Sequence, residues 1–445
     1  MTQSPLKLRR RLGAFDVALI VIGSVIGSGI FRTPSVVAQR APDAAIVLAV
    51  WATGGIVALF GAFVLGELAA RRPNECGVYA HLRDAFHPIV GFAYGWASLI
   101  ASLSAGLAAG AILFAGYFAS LTGLSLAPGL VAAATLAILA VINALGVREG
   151  ATTQNVLTAL KLGALLALVA AGLFAHPAAA QHVDALRGSV VGAFAVAMIP
   201  VLFAYTGAQV ANFMTAETTN AVRALPLGLT FGMIGVAVVY VLVNAVCVRV
   251  LGIGGLARTD VPVSAVLLHA AGPLGARLTS IAIALTTLGF MSNRMLTVPR
   301  LYHAMAADGL FFSWIAKIDP RTHVPVVAIV LQAVVAIAFA LTSGYGHILN
   351  VVVVISYGFA GFLALAVFVF RARDRGAGVS AGKGFRVPLH PVSTAIFMLA
   401  SWGVALATCV AYPRDGLWGL AAVLSAVPVY AVWARSGRQQ KAVAS

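Results

Sequence analysis

The sequence predicts an all-α membrane protein with about twelve transmembrane helices, and three observations lead to this fold class. Of the 445 residues, 61% are hydrophobic and only 9% are charged, whereas soluble domains carry about 25% charged residues. The chain consists largely of apolar runs, with a mean hydropathy of +0.98, and the first and sixth runs are interrupted by glycine, proline and polar residues. The low charge excludes a soluble enzyme and a disordered protein, because too few polar side chains remain to cover a water-soluble surface.

The apolar runs have the length of membrane-crossing helices, since a hydrocarbon core of about 30 Å takes roughly 20 helical residues. They are continuous and rich in Ala, Leu, Val and Gly, whereas the strands of a membrane barrel would alternate in polarity. The runs lie near residues 14–39, 44–70, 86–121, 128–146, 154–176, 189–216, 225–252, 264–307, 324–343, 348–371, 388–412 and 415–434. We therefore expect one integral membrane domain over residues 1–445, embedded in a lipid bilayer.

The net charge of +16 indicates membrane orientation rather than nucleic-acid binding. A nucleic-acid site needs basic residues clustered on one face of a soluble domain, but here Lys and Arg separate the apolar runs. With the amino terminus inside, seven of the 29 basic residues fall on the outer side: Arg32, Arg40, Arg187, Arg249, Arg258, Arg277 and Arg414. Because cytoplasmic loops carry the excess of Lys and Arg, we expect a cytoplasmic-membrane protein with both termini in the cytoplasm and no nucleic-acid partner.

Two runs contain interruptions that a simple anchor helix would not need. Residues 23–29 of the first run read GSVIGSG, and these three glycines loosen the helix and let another group approach its backbone. The sixth run contains Pro200, which removes a backbone donor, and polar residues follow it within residues 203–209. Close helix packing through small residues and a tolerated proline kink are the respective alternatives.

The two interruptions lie five spans apart, in the first and sixth runs. Interrupted helices at corresponding positions of two halves are typical of transporters built from inverted repeats. The amino-terminal end of a half-helix favours an anionic group, and freed carbonyls favour a cationic one. A zwitterion with a carboxylate and an ammonium fits such a site, so the pattern favours amino acids as substrates.

Residues 23–31 (GSVIGSGIF) resemble the first-helix signature of the amino acid–polyamine–organocation superfamily, especially its L-type amino acid transporter branch. Other stretches are similar to further motifs of that family. They are residues 66–68 with Pro73 and residues 77–79, residues 91–96, residues 202–205 with Asn212, Phe213 and Glu217, and Arg300 with residues 308–309 and 325–326. The resemblance covers about residues 12 to 430.

The resemblance implies a repeat of five helices over about residues 12–176 and an inverted second repeat over about 189–371. Helices 1 and 6 would be discontinuous, and two helices over about 388–434 would be appended. Backbone N–H groups of the first helix would bind the substrate carboxylate, and carbonyls near Ile22, Val25 and Phe203 would meet its amino group. The Phe203 ring would close over the substrate, with core packing as the alternative. The expected substrate-binding residues are Ile22, Val25, Ile26, Gly27, Ser28, Gly29, Ile30, Phe203, Ala204, Tyr205 and Thr206.

Lys161 lies within the fifth run, and a charge at bilayer depth indicates a function by default. It matches the family lysine whose ammonium lies beside the unwound first helix, where sodium-coupled relatives hold a cation. We therefore expect Lys161 to act in coupling and transport to be independent of sodium. A lysine that extends to the membrane surface is the alternative. The role of Arg294 in the eighth run stays open between substrate contact, carbonyl pairing and an aqueous vestibule.

We predict a secondary active transporter that exchanges neutral L-amino acids by alternating access, with proton-coupled symport or non-transporting sensing as alternatives. The sequence contains neither a GxxxxGK[ST] phosphate loop nor a HExxH motif, so no ATP-driven pump, enzyme, cofactor or metal site is expected. The expected site contains no acidic residue, which disfavours cationic substrates. Residues 121–128 lack the loop cysteine through which L-type light subunits pair with a glycoprotein, so no obligate glycoprotein partner is expected.

Overall fold

A computed structural model describes residues 13–41, 43–71, 77–146, 151–176, 190–211, 218–312, 314–315, 317–319, 321–322, 324–376 and 384–432. Within these ranges the chain forms sixteen α-helices and one π-helical turn, with no strand. In chain order they are α1 (Ala14–Val25), α2 (Ser28–Ala38), α3 (Ala44–Arg71), α4 (Gly77–Ala85), α5 (Pro88–Ala97), the π-helical turn (Ser98–Ser102), α6 (Leu103–Thr122), α7 (Pro128–Ala144), α8 (Ala151–Phe174), α9 (Val190–Ala204), α10 (Ala221–Arg258), α11 (Pro262–Thr297), α12 (Pro299–Ala307), α13 (Val326–Thr342), α14 (Tyr345–Gly376), α15 (Val392–Ala411) and α16 (Pro413–Leu424).

Nine helical segments of the described chain are long and apolar enough to cross a membrane, and α1 with α2 forms a tenth candidate span that bends by 48°. Two further apolar helices, α7 and α13, have 17 residues each, a length of about 26 Å. Each of the twelve predicted runs overlaps one of these helices or the bent pair, which confirms the all-α membrane fold. The chain ends, residues 1–12 and 433–445, lie outside the described residues, so their expected cytoplasmic location stays a prediction.

Two long helices bend at glycines that apolar composition alone does not mark. Gly252 in α10 has φ = +64°, and Gly272 in α11 has φ = +70° and is followed by Pro273. Glycine adopts this backbone without steric cost, and proline lacks the N–H that would continue the helix. The predicted eighth run over 264–307 is therefore not one straight span, since α11 turns at Gly272 and α12 starts anew at its far end.

A close contact with α10 holds α1 against the core. Gly228 and Gly232 lie one turn apart on α10, and their added Cβ atoms would come within 2.4 Å of Val17 and 2.8 Å of Val21, respectively. Both valines have no exposed surface. The spacing of small residues lets the two backbones approach closely, as in other membrane helix pairs.

A buried carboxylate organises one end of the bundle, called here the Arg71 end. The Glu67 side chain accepts hydrogen bonds of 2.6–2.7 Å from the side chains of Arg71 and Arg371 and from the N–H of Val387. The carboxylate is fully buried, and the two arginine side chains are only 12% and 14% exposed. These bonds join α3, α14 and the segment before α15, so Glu67 is a structural ion-pair centre.

A second ion pair lies at the Arg71 end, between α4 and the end of α12. The Tyr79 hydroxyl donates a 3.0 Å hydrogen bond to Asp308, and Arg83 pairs with the same carboxylate. The hydrogen bond to Asp84, together with the charge of Asp308, raises the pKa of Arg83 above its ordinary value. Arg83 therefore stays charged at any physiological pH.

Different contacts close the opposite end, called the Arg32 end. Arg32 of α2 pairs with Asp260 at 2.8 Å, and the Gln39 amide donates a 2.8 Å hydrogen bond to the carbonyl of Ala257. Both contacts tie the second half of the broken first helix to the end of α10 and the connection that follows it.

We expect Glu67→Ala to lower the thermal stability of the detergent-solubilised protein. It leaves two largely buried arginines without their shared acceptor, and loss of one partner of a buried ion pair costs about 3–5 kcal/mol. The matched control is Asp84→Asn, because the Asp84 side chain is 40% exposed and exposed pairs contribute at most about 1 kcal/mol. Equal melting temperatures of the two variants, measured by size-exclusion after heating, would contradict the structural role of Glu67.

Candidate substrate-binding site

The first span breaks between α1 and α2. Helix α1 ends at Val25 because Ile26 (ψ = 75°) and Gly27 (ψ = −142°) leave the helical region, and α2 starts directly after them at Ser28. The N–H groups of the first turn of α2 have no acceptor within their own helix. They also carry the positive end of the helix dipole, so this point inside the bundle favours an anionic group.

The sixth span breaks at the end of α9. The helix ends at Ala204, and residues 205–211 form a turn and a short 3-10 helix. The backbone N–H and the hydroxyl of Thr206 both donate to the carbonyl of Phe203, at 3.1 Å and 2.7 Å. Gly207 then takes φ = +128°, a conformation that glycine adopts most readily. The side chain of Thr206 thus helps to end the helix.

The two breaks lie in direct contact. A Cβ on Gly29 would lie 2.6 Å from the Cα of Ala204, and a Cβ on Gly207 would lie 2.6 Å from the carbonyl oxygen of Ser24. Side chains larger than hydrogen are therefore excluded at both points unless the backbones separate. The sequence indicated two interrupted helices, and the structure brings their interruptions together.

A tyrosine that the sequence analysis missed joins the two breaks. The Tyr240 hydroxyl of α10 lies 2.9 Å from the carbonyl oxygen of Val25 and 3.2 Å from that of Ala204. Its ring packs edge-on against Trp51, with ring centroids 5.4 Å apart. In the sequence, the only indication of this role was that Tyr240 places a polar hydroxyl within an apolar run. Nothing in the sequence indicated which carbonyls the hydroxyl would reach.

A cavity of ≈ 30 Å³ lies at the breaks. Four other elements complete its wall around the two broken spans: the π-helical turn, α6, α11 and α14. Its lining residues are Ser24, Val25, Gly27, Gly29, Ser102, Leu103, Gly106, Phe203, Ala204, Thr206, Gln209, Phe290, Arg294, Val352 and Ser356. Six of the eleven predicted substrate-binding residues line it: Val25, Gly27, Gly29, Phe203, Ala204 and Thr206.

Of the other five predicted residues, the four whose side chains the structure describes do not line this cavity: Ile22, Ile26, Ile30 and Tyr205. Ile26 and Ile30 have fully buried side chains, so only their backbone could meet a ligand. The Ile22 carbonyl accepts the N–H of Ile26 at 2.9 Å. Tyr205 turns away and donates its hydroxyl to the carbonyl of Trp51 at 3.1 Å. Ser28 contributes its place at the start of α2, and its side chain is not part of the described structure.

Lys161 of α8 reaches the first break from the side. Its ammonium nitrogen donates to the carbonyls of Gly23 at 3.1 Å and Ile26 at 2.6 Å, and the residue is 5% exposed. Its position is therefore inside the bundle, and the alternative of a lysine extended to the membrane surface is wrong. The same ammonium lies 5.7 Å from the ring centroid of Phe290.

Residues 12–427 match the sequence model of a family described as amino acid permease. The chain belongs to this family. The match spans most of the chain and confirms the resemblance on which the superfamily assignment rests. The motif residues Pro73, Asn212, Phe213 and Glu217 lie outside the described residues.

Three curated relatives extend over most of this permease. The serine/threonine exchanger SteT of Bacillus subtilis (strain 168) is 27% identical over 434 residues, covering 95% of this chain and 96% of the relative. The b(0,+)-type amino acid transporter 1 of Mus musculus is 26% identical, with coverage of 95% and 88%. The large neutral amino acids transporter small subunit 2 of Mus musculus is 27% identical, with coverage of 82% and 71%. The permease is thus a multi-span amino acid transporter.

A larger cavity of ≈ 100 Å³ extends from the breaks of this permease toward the Arg71 end. It shares wall residues with the first cavity, namely Ser102, Leu103, Thr206, Gln209 and Ser356. The hydroxyls of Ser102 and Ser356 lie 2.8 Å apart across the shared wall. Polar groups therefore continue from the breaks toward one end of the bundle.

The path toward the Arg32 end is covered by aromatic side chains. Phe203 packs edge-on against Tyr345, with ring centroids 6.1 Å apart, and the guanidinium carbon of Arg32 lies 5.4 Å from the centre of the Tyr345 ring. Phe203 is 6% exposed, so it is both a cavity wall and part of the packed layer beneath the Arg32–Asp260 pair.

We expect Gly29→Ala to abolish the thermal stabilisation of the permease by added neutral L-amino acids. The new Cβ would collide with the backbone of Ala204 and push the two breaks apart, at a cost of about 1–3 kcal/mol. The control is Gly116→Ala on α6, because no atom lies within 4 Å of its added Cβ. Ligand stabilisation that persists in Gly29→Ala would show that the contact between the breaks is not required for binding.

Proposed function

We propose that this permease exchanges neutral L-amino acids across the cytoplasmic membrane by alternating access, independently of sodium. The contact of the Lys161 ammonium with the carbonyls of Gly23 and Ile26 carries the proposal. The ammonium of Lys161, a cation fixed to the protein, hydrogen-bonds to carbonyls at the break of the helix. Two unit charges about 4 Å apart repel by about 4 kcal/mol at an effective dielectric constant of 20. A sodium ion beside Lys161 is therefore disfavoured.

The polarity of the two breaks supports an amino acid as substrate. The start of α2 offers N–H groups to a carboxylate, and the ends of α1 and α9 offer carbonyls to an ammonium. Phe203, Val25 and Ile22 were the expected carbonyl partners. The Ile22 carbonyl accepts one hydrogen bond within the protein and keeps a second lone pair for a ligand. The carbonyls of Val25 and Phe203 each accept two already, so binding an ammonium there requires one of these bonds to open. No carboxylate side chain lines the described cavity wall, which disfavours cationic substrates.

The two ends of the bundle support alternating access. The Arg32 end is tied by Arg32 and Asp260 and covered by the Phe203–Tyr345 pair, whereas the larger cavity continues toward the Arg71 end. The Arg71 end also carries several basic residues: Arg71, Arg83, Arg371, Arg373 and Arg375. By the positive-inside rule this end faces the cytoplasm, and the described conformation then corresponds to a carrier closed on its outer side.

The proposed organisation is one membrane domain with two inverted repeats over about residues 12–176 and 189–371, followed by two appended helices over about 388–434. The break in α1–α2 and the break after α9 then occupy corresponding positions, as expected of such repeats. We also propose that the chain acts without an obligate glycoprotein partner, because the loop over 121–128 contains no cysteine. Purification from a host membrane tests this proposal: the chain is expected to purify without a second protein bound to it.

Exchange is preferred to proton symport and to sensing because one relative that covers almost the whole chain is a serine/threonine exchanger by name. Symport remains the second candidate, since a buried lysine is a group that can release a proton. Sensing would require binding without turnover.

We expect purified protein in proteoliposomes to show counterflow, with uptake of labelled serine only when the vesicles contain an unlabelled neutral amino acid. The uptake should be equal in sodium and choline media and unaffected by a pH gradient. A requirement for sodium would contradict the assigned role of Lys161, a requirement for a proton gradient would favour symport, and binding without counterflow would favour a sensor.

We expect Lys161→Ala to reduce the exchange rate by about 10-fold or more, because two buried carbonyls lose a charged donor that contributes about 1.5–3 kcal/mol. The control is Lys317→Ala, which removes an exposed lysine from a loop. Exchange at the wild-type rate in Lys161→Ala, with correctly folded protein, would exclude a coupling role for the ammonium.

A further inference from the structure

Arg294 is a cation in the cavity wall that the proposed exchange mechanism does not use. It lies in the last part of α11 and lines the cavity at the breaks. Its Nε is buried and has no hydrogen-bond partner, and no carboxylate pairs with its side chain in the described part of the chain. Burying a guanidinium costs desolvation energy, and here no described carboxylate offsets that cost. Its position therefore indicates a ligand.

Arg294 belongs to the immediate surroundings of the first break. Its guanidinium carbon lies 4.8 Å from the centre of the Phe290 ring, one turn earlier on the same face of α11. The tip of the Phe290 ring lies 2.9 Å from where a Cβ on Gly27 would be. The Lys161 ammonium also lies beside this ring, 5.7 Å from its centre. One aromatic ring thus separates Arg294 from both the broken backbone and the coupling lysine.

The opposing wall leaves room for a ligand at the guanidinium. A Cβ on Gly106 of α6 would come 3.4 Å from Nη1 of Arg294, so the absence of a side chain there keeps the nitrogen accessible from the cavity. Ser102, one turn earlier on the same strip of wall, and Ser356 of α14 add hydroxyl groups to the same cavity. These hydroxyl groups lie on the part of the cavity wall that is formed by other elements than the start of α2 and the end of α9.

The charges of the cavity favour an anion over a zwitterion. Lys161 and Arg294 bring two positive charges to the breaks, and no acidic side chain lines the described wall. A bound neutral amino acid adds no net charge, and its carboxylate and ammonium are served by the helix ends. Both positive charges then stay uncompensated, whereas a substrate with a second carboxylate compensates that of Arg294 through a charge-assisted, bidentate pair.

We propose that Arg294 binds the side-chain carboxylate of an acidic amino acid, so that the permease carries glutamate and aspartate in addition to neutral amino acids. The backbone groups of the substrate lie at the two breaks, and its side chain extends between α6, α11 and α14 to the guanidinium. This inference rests on the proposed amino acid exchange and specifies a substrate class for the same site.

The test compares glutamate with glutamine, which have the same shape and differ in charge. Wild-type, Arg294→Gln, Arg294→Lys and the control Arg277→Gln, an exposed arginine on the same helix, are reconstituted in proteoliposomes preloaded with serine. We expect glutamate uptake by the wild-type protein and the control. Arg294→Gln should lose glutamate uptake by roughly 10-fold to 100-fold and keep glutamine uptake within about threefold, a difference below ~1 kcal/mol. Glutamate uptake by Arg294→Lys should lie between that of the wild type and that of Arg294→Gln, because an ammonium keeps the charge but cannot form the bidentate pair.

Glutamate-dependent thermal stabilisation of the same four proteins gives a second readout that does not require transport. We expect it in the wild type and the control, and its loss in Arg294→Gln. Serine and glutamine exchange without any glutamate uptake or stabilisation would overturn the inference and leave the proposed exchange intact. An equal loss of glutamate and glutamine in folded Arg294→Gln would also overturn it, since Arg294 would then serve the common part of the substrate. Arg294-dependent glutamate stabilisation without counterflow would support the subsite and contradict the exchange function.

Discussion

The site depends on the interaction between the Lys161 ammonium and the carbonyls of Gly23 and Ile26. A helix that breaks inside a membrane frees backbone groups, and each unsatisfied group costs several kcal/mol where water is absent. Lys161 supplies a charged donor at the point where α1 ends, so two carbonyls at the break are hydrogen-bonded within the protein. The start of α2 is then held at a fixed place, with its N–H groups still available.

Close approach of backbones is the second constraint, and small residues make it possible. Gly29 and Gly207 bring the two breaks within contact, while Gly228 and Gly232 seat α1 on α10. Tyr240 then bridges carbonyls of both broken spans. Without these contacts the helix ends would lie too far apart to serve the carboxylate and the ammonium of one small molecule. The site is therefore a product of helix packing as much as of its lining side chains.

The charged groups of the permease divide into those paired with a carboxylate and those without such a partner in the described chain. Glu67 with its two arginines, and Arg32 with Asp260, are paired at the ends of the bundle and hold helices together there. Lys161 and Arg294 lie between those ends without a carboxylate partner in the described chain. Charges that are buried without pairing are expensive, so their retention beside a cavity favours a role in binding the substrate.

The sequence by itself determined the twelve apolar runs, the interruptions in the first and sixth, and the presence of a charge in the fifth, because composition and local spacing encode them. It also marked Thr206 and Phe203, although not the hydrogen bond that joins them at the end of α9. Only the tertiary structure decided that Tyr240 links the breaks, that Arg294 and Phe290 line one cavity, and that Lys161 lies beside the Phe290 ring. The contacts of Tyr240 with Val25 and of Lys161 with Phe290 join residues more than a hundred positions apart, and the packing of whole helices, rather than any local pattern, sets which of them meet.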